Sequence, residues 1–246
     1  MLGLPAEVTA CLFDLDGVLT RTASVHAAAW KETFDDFLRA RAERTGEGFV
    51  PFSSSDYDRY VDGRPRLSGT RTFLRSRGID LPEGDESDPP DALTVHGLSN
   101  RKNQRVLQLL TPGNVEVYDG SVEYVRRARE LGLHTAVVSS SANTAQVLDV
   151  AGIADLFEAR VDGLVAAERG LSGKPAPDTF LAGAEALGVR PDQAAVFEDA
   201  LAGVEAGRAG KFALVVGVDR VGQAGPLKEH GADVVVRDLS ELLEES

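Results

Sequence analysis

The chain has 246 residues, 43% of them apolar and 26% charged, with 39 Asp and Glu against 26 Lys and Arg and a formal charge of −13. That length and balance suit one or two soluble domains with a core of their own, and the single Cys11 excludes an intramolecular disulfide framework and a cysteine-based zinc site. The acidic excess argues against nucleic acid or an anionic membrane surface as partner, no apolar run approaches the length of a membrane span, and the N-terminus lacks the basic stretch of a secretory leader, so a cytoplasmic monomer is expected.

In chain order, residues 8–13 (VTACLF) form an almost wholly apolar run ending at Asp14, the pattern of a strand covered on both faces. From Ser24, which can serve as an N-cap, Ala27, Trp30, Phe34, Phe37, Leu38 and Arg41 recur at three- and four-residue spacing and predict a helix. Helical character returns over 54–61, 67–77 and 99–110, where Val106, Leu107 and Leu110 share one apolar face. The acidic segment 82–91 (PEGDESDPPD) reads as an exposed loop, and no strand is expected between Arg21 and Leu110. Beyond Pro112-Gly113 the pattern alternates. Helices are predicted at 121–131, 143–151, 178–187, 200–209 and 240–244, and strands at 134–138, 157–161, 194–197, 212–218 and 233–236. Strands alternating with helices predict a parallel sheet with right-handed crossovers. The expected fold is α/β, with a core assembled from residues 1–21 and 112–246 and residues 22–111 inserted as an all-helical domain. An insert of that length without structure of its own would be implausible.

In open α/β sheets ligands bind at the carboxyl ends of the strands. The first strand runs into Asp14-Leu15-Asp16-Gly17-Val18-Leu19-Thr20, the second into Ser139-Ser140-Ser141-Ala142-Asn143, and the strand at 194–197 into Glu198-Asp199, while Gly173-Lys174-Pro175 precedes the helix at Asp178. Taken singly, each has a plain structural explanation. An Asp after a strand is a turn residue or cap, serines end loops, a Lys before Pro is solvated, and Glu-Asp at a helix start complements the dipole. Taken together, four carboxylates at one sheet edge would repel unless a cation joins them. Hard oxygen ligands suit Mg²⁺, which binds through a few carboxylates and substrate phosphate oxygens. A hydroxyl cluster and a lysine supply the donors and positive charge that a phosphoryl group needs. One Asp can then be the nucleophile of an aspartyl-phosphate and the Asp two residues on the general acid and base, with Gly17 freeing the backbone to turn beside the metal.

The segments DLDGVLT, SSSAN, GKPAPD and FEDALAGVEAG, in that order, resemble the four motifs of the haloacid dehalogenase (HAD) superfamily of phosphotransferases, and the resemblance spans essentially the whole chain. It implies a Rossmann-like core, and the helical insert after the first motif is similar to the small helical cap of the β-phosphoglucomutase-like branch. On that resemblance Asp14 is the nucleophile and a metal ligand, and Asp16 is the general acid/base that gives its backbone carbonyl to Mg²⁺. Lys174 is the catalytic cation beside the phosphoryl group, Glu198 and Asp199 hold the metal, and Ser139 and Asn143 contact the phosphoryl group or nearby substrate. The stretch DLDGVLTRTASVHAAAWK, with Thr22, His26, Trp30 and Lys31, is similar to the same branch, where His26 matches a histidine coupling cap closure to the acid/base. Residues 61–66 (VDGRPR) align with the branch's specificity loop. Gly63, Arg64 and Arg66 are therefore expected to bind substrate, the planar fork of Arg66 taking the second, non-transferring phosphate.

The implied activity is Mg²⁺-dependent phosphoryl transfer on a small phosphorylated sugar. The expected form is a mutase that interconverts a hexose 1-phosphate and 6-phosphate, with β-glucose as the sugar, through a bisphosphate. The alternative is a phosphatase of the same superfamily, in which water activated by Asp16 attacks phospho-Asp14. A phosphate-storing receiver domain, the third possibility, would need neither Asp16 nor the helical insert. Three positions depart from the branch and bear on which sugar is taken: Asp62 stands where it carries Lys, Arg21 replaces an acid, and Ala142 replaces a base.

Overall fold

The computed structural model describes residues 2–110 and 115–243. Six strands, β1 (Ala10–Phe13), β2 (His134–Val138), β3 (Ala159–Val161), β4 (Ala194–Glu198), β5 (Leu214–Val218) and β6 (Val234–Val236), form one sheet in the order β3-β2-β1-β4-β5-β6. Every neighbouring pair is parallel, and Phe13 lies beside Val137 on one side and Phe197 on the other. A parallel sheet has to be covered on both faces, and β1, β4 and β5 are buried throughout. Alternation along β1 divides the core in two. Cys11 and Phe13 face α5 (Asp119–Glu130) and α6 (Thr144–Ala151), and Ala10 and Leu12 face α8 (Asp178–Ala186) and α9 (Leu201–Ala209). On the first face Phe13 stacks on Phe197 at 4.5 Å and meets the edge of Tyr124 at 6.3 Å, geometries favoured by the ring quadrupole. Two short helices, α7 (Gly163–Glu168) and α10 (Ala224–Glu229), join α8 and α9 on the other face.

Four further helices, α1 (Ala23–Thr45), α2 (Ser54–Tyr60), α3 (Arg66–Ser76) and α4 (Val95–Leu109), surround an apolar core of their own. Phe34 sits at its centre, 5.0 Å from Trp30 and 4.1 Å from Phe73. No strand lies among the described residues of this region. The chain enters and leaves it through two segments that pair with each other. Thr20 bridges Val117 in antiparallel fashion, Arg21 N donates to the Glu116 carbonyl at 2.8 Å, and Tyr118 N donates to the Leu19 carbonyl at 2.9 Å.

Several local expectations change. Ser24 does not cap α1: the cap position is Thr22, whose hydroxyl is engaged with Asp16, and the Ser24 hydroxyl donates back to Arg21 at 3.0 Å. The helix predicted at 99–110 begins a turn earlier, because the Thr94 hydroxyl accepts from Gly97 N at 2.9 Å. Leu107 is 40% exposed, so Leu98, Val106 and Leu110 make the buried face instead. The short α7 and α10 were not expected; α7 is started by Asp162, whose carboxylate accepts from Leu164 N and Val165 N. The C-terminal helix is a 3₁₀ turn over Leu239–Leu242. Residue 244, the end of that predicted helix, and the change of pattern at Pro112-Gly113 lie outside the described residues. Among the described residues no helix is long and apolar enough to cross a membrane.

Candidate active site

The order of strands along the sheet reverses at β1, which lies between β2 and β4, and this is where an open α/β sheet forms its crevice. Asp14 follows β1 directly and its N–H still donates to the Phe197 carbonyl at 2.9 Å. Glu198 is the last residue of β4. Lys174, from the loop before α8, donates from Nζ to Asp14 Oδ1 at 2.6 Å, to Glu198 Oε1 at 2.5 Å and to the Val138 carbonyl at 3.0 Å. An ammonium has three protons, and each has an acceptor here. Burial works against the charge on Lys174, but Asp14 and Glu198 outweigh it and raise its pKa. The other oxygen of Glu198 accepts from Ala200 N at 2.9 Å.

Asp14, Glu198 and Asp199 each bring a ligand atom within 4.8 Å of the others. Burial pushes the Asp14 carboxyl well above the usual carboxylate range; Lys174 opposes this, and Glu198 and Asp16 add to it. Burial also pushes Asp199 up, reinforced first by Asp62 and then by Glu198, Asp14 and Asp16. One ammonium does not balance this much buried acid, whereas a hard dication does, and oxygen donors at this spacing fit Mg²⁺. Gly17 closes the turn beside Asp199 with φ at 87°, and a Cβ there would overlap the Asp199 carboxylate, so no other residue fits.

Asp16 is tied to the helical region. The Thr22 hydroxyl donates to its carboxylate and lies 2.6 Å from the Thr20 hydroxyl. His26 Nε2 lies 3.6 Å from Asp16 Oδ1, and its Nδ1 lies 2.8 Å from Lys102 Nζ. Burial, with Lys102, lowers the His26 pKa to about 4 against the pull of Asp16. Burial lowers Lys102 to about 7. The imidazole is thus neutral near pH 7, and its Nε2 has no hydrogen-bond partner among the described residues. Lys102 was not foreseen. Its signal is positional: four residues from both Leu98 and Val106, it occupies the buried stripe of α4, where a solvated lysine does not belong.

Between the sheet edge and α1–α4 lies a cavity of about 320 Å³. Asp14, Asp16, Ser139, Asn143 and Asp199 line it from the sheet side, and His26, Gly63, Arg64 and Arg66 from the helical side. Lys174 and Glu198 stand behind this lining, with Lys174 donating to both Asp14 and Glu198. The loop at 61–66 lies directly on the sheet side. Ser140 Oγ donates to the Gly63 carbonyl at 2.8 Å, and a Cβ on Gly63 (φ 68°) would stand 2.8 Å from Ala200 Cβ. Asn143 Nδ2 donates to Asn103 Oδ1 of α4 at 3.0 Å, while Ser139 Oγ accepts from Ser141 N at 3.1 Å. Arg66 is half-buried, and its Nε has no hydrogen-bond partner among the described residues.

Of the three departures, Asp62 and Ala142 line the cavity. Burial pushes Asp62 up to about 7, with the Tyr57 hydroxyl opposing. Tyr57, also on the cavity wall, was not anticipated. Arg21 is exposed and lies over the Tyr118 ring at 4.4 Å, apart from the cavity lining.

A parallel sheet that gathers a buried Asp, a lysine and an acidic pair at its switch point defines a phosphotransferase-type site, and the family comparison agrees: a model for haloacid dehalogenase-like hydrolases matches residues 8–211. The chain belongs to that family. It is 58% identical to a β-phosphoglucomutase of Mycobacterium bovis over 247 residues, covering 99% of this chain and 94% of that protein. It is 36% identical to a β-phosphoglucomutase of Bacillus subtilis, with 95% of this chain and 91% of that one covered. A crystal structure of a β-phosphoglucomutase from Clostridium difficile superposes with a TM-score of 0.75 at 25% identity, covering 96% of this chain and 93% of that one.

Proposed function

We propose that the chain interconverts β-glucose 1-phosphate and glucose 6-phosphate by way of phospho-Asp14 and a hexose bisphosphate, as a cytoplasmic monomer. One observation carries the proposal: a single cavity has a buried nucleophile, backed by its lysine, on the sheet side and two arginines on the helical side, one with an Nε that has no partner among the described residues. A phosphatase needs only the first end, whereas a mutase handles a substrate with two phosphates. The 58% identity with the mycobacterial β-phosphoglucomutase supports the same sugar.

In this mechanism residues 1–21 and 112–246 are the core and α1–α4 are its cap. Asp14, Glu198, Asp199 and the Asp16 carbonyl would hold Mg²⁺, and the ion when bound would offset the negative charge of the phosphoryl oxygens. Lys174 fixes Asp14 Oδ1 and places a positive charge beside it. In the forward direction the sugar O6 attacks the phosphorus of phospho-Asp14, the bond to the Asp14 oxygen breaks, and Asp16 takes the hydroxyl proton. After the bisphosphate reorients, Asp14 attacks the phosphorus on O1 and Asp16 returns the proton to the departing O1. The Thr22 hydroxyl, donating to the Asp16 carboxylate, orients it for both transfers, with His26 packed beside it. Arg66 and Arg64 hold whichever phosphate is not reacting, and Ser139, Asn143 and Gly63 line the path between. The loop at 61–66, laid on the core, keeps water from phospho-Asp14 so that the sugar receives the phosphoryl group.

The test is a coupled assay with β-glucose 1-phosphate, Mg²⁺ and a catalytic amount of bisphosphate. Glucose 6-phosphate is the expected product, lost on chelation and regained with Mg²⁺. Inorganic phosphate without glucose 6-phosphate would make the protein a phosphatase.

A further inference from the structure

The loop after β5, residues 219–223, belongs to none of the four motif segments, yet it meets two of them. Gln223 Nε2 donates to the Asp199 carbonyl at 2.9 Å. Arg220 reaches the turn that follows Asp16: its Nε donates to the Gly17 carbonyl at 2.8 Å and its Nη2 to the Val18 carbonyl at 3.3 Å. Nη2 also donates to Ser121 Oγ at 3.2 Å, and Nη1 to the Arg237 carbonyl at 2.6 Å and Asp238 Oδ2 at 3.0 Å. A guanidinium carries five N–H donors, and all five have acceptors here.

The flat face of Arg220 lies 3.5 Å from the centroid of the Tyr118 ring. Tyr118 is on the segment through which the chain leaves the helical region, paired through its N–H to Leu19 on the entering segment. One side chain thus joins the Asp16 turn, the pair of segments leading to α1–α4, and the start of α5. The loop that carries it is itself fixed. Asp219 N donates to the Val236 carbonyl at 2.7 Å, and Asp219 Oδ1 accepts from Gly222 N and Gln223 N, each at 2.7 Å.

We infer that Arg220 is a positioning residue for the reaction: it holds the Gly17-Val18 turn, and through it the Asp16 carboxylate, in line with Asp14. This rests on the acid/base role proposed for Asp16. Arg220 does not line the cavity, so it acts through Asp16 and not on substrate. Its importance then follows the reaction's need for a proton. When Asp14 attacks a sugar phosphate, the P–O bond breaks and the sugar oxygen leaves with a proton from Asp16. When Asp14 attacks acetyl phosphate, acetate leaves as the anion and no proton is required. A residue that merely stabilised the fold would affect both donors alike.

The experiment compares these two donors in Arg220→Lys, which keeps the charge but offers three donors in place of the fork. The kcat with β-glucose 1-phosphate is expected to fall by about tenfold or more with KM within about twofold, while phosphorylation of Asp14 by acetyl phosphate stays within about twofold. Equal losses with both donors, or no loss with the sugar phosphate, would overturn the inference. If Arg220→Lys does not fold, Tyr118→Leu removes only the stacked face and carries the same comparison, with an expected selective loss of about threefold; a loss shared by both donors, or none, counts against it equally. The wild-type product analysis stands apart from this. If the wild type releases only inorganic phosphate, the mutase proposal fails, and Arg220 is tested on sugar-phosphate hydrolysis against acetyl phosphate in the same way.

Discussion

The two ends of the cavity are built differently. At the sheet end, Asp14, Lys174 and Glu198 are buried at strand ends or against them, and every proton of the lysine is matched. At the helical end, Arg66 and Asp62 come from a loop and a first helical turn, are only half-buried, and include an arginine nitrogen without a partner among the described residues. The sheet end is bonded for one arrangement, and the helical end leaves polar groups free for a ligand to satisfy. On the proposed mechanism the chemistry falls to the fully bonded side and the substrate contacts to the side with free polar groups.

This contrast has measurable consequences, because sheet-end changes should affect every phosphoryl donor alike and helical-end changes should distinguish among them. The largest effect is expected for Asp14→Asn, which removes the nucleophile and should lower turnover of sugar phosphate and acetyl phosphate alike by on the order of 10⁴-fold or more in steady-state assays. Lys174→Ala leaves Asp14 and Glu198 buried without their cation and should destabilise the fold by about 3–5 kcal/mol in urea titrations. Retention of wild-type stability would mean that the sheet end is less tightly bonded than its geometry indicates.

Arg66→Ala should behave otherwise. It removes a charge-assisted phosphate contact, about 2 kcal/mol or about 30-fold in mutase kcat/KM, while the reaction of Asp14 with acetyl phosphate stays near wild type. Equal losses on the two substrates would erase the distinction between the ends. His26, where the two ends meet, gives a pH effect. Its folded pKa of about 4 lies below the ordinary 6.5, so between those values the unfolded chain binds a proton that the folded chain does not. Stability is therefore present above pH 6.5 and is lost as pH falls toward 4, by about 3 kcal/mol at most. His26→Gln should flatten that part of the stability profile. The smallest effect belongs to Ser53→Ala, a residue that does not line the cavity. Loss of the Ser53–Asp56 capping box at α2 should cost about 1 kcal/mol in thermal melts and change no substrate ratio.

What could be read from the sequence follows the same division. Asp14, Asp16, Ser139, Glu198 and Asp199 stand at the ends of short apolar runs, and the carboxyl edge of a parallel sheet is implied by the alternation of strand and helix alone. Tyr57, Lys102 and Arg220 come from helices and from a loop outside the motifs, and which way such residues face depends on packing between elements distant in sequence. Lys102 is the instructive case, since its place on the buried stripe of α4 marks it as unusual but says nothing about its neighbour His26, 76 positions away. The Ser24 cap failed for a related reason. Local chemistry favours serine there, but Asp16 engages the Thr22 hydroxyl and sets where α1 begins.

The chain has one tryptophan, Trp30. It is stacked on Phe34, lies 5.1 Å from the Lys102 amine, and borders the cavity. Its emission is thus a native optical reporter, free of background from any other indole. A ligand entering the cavity, or a parting of the helical region from the sheet, changes the polarity around that one ring. The unlabelled protein can therefore report ligand arrival and domain motion in a stopped-flow trace.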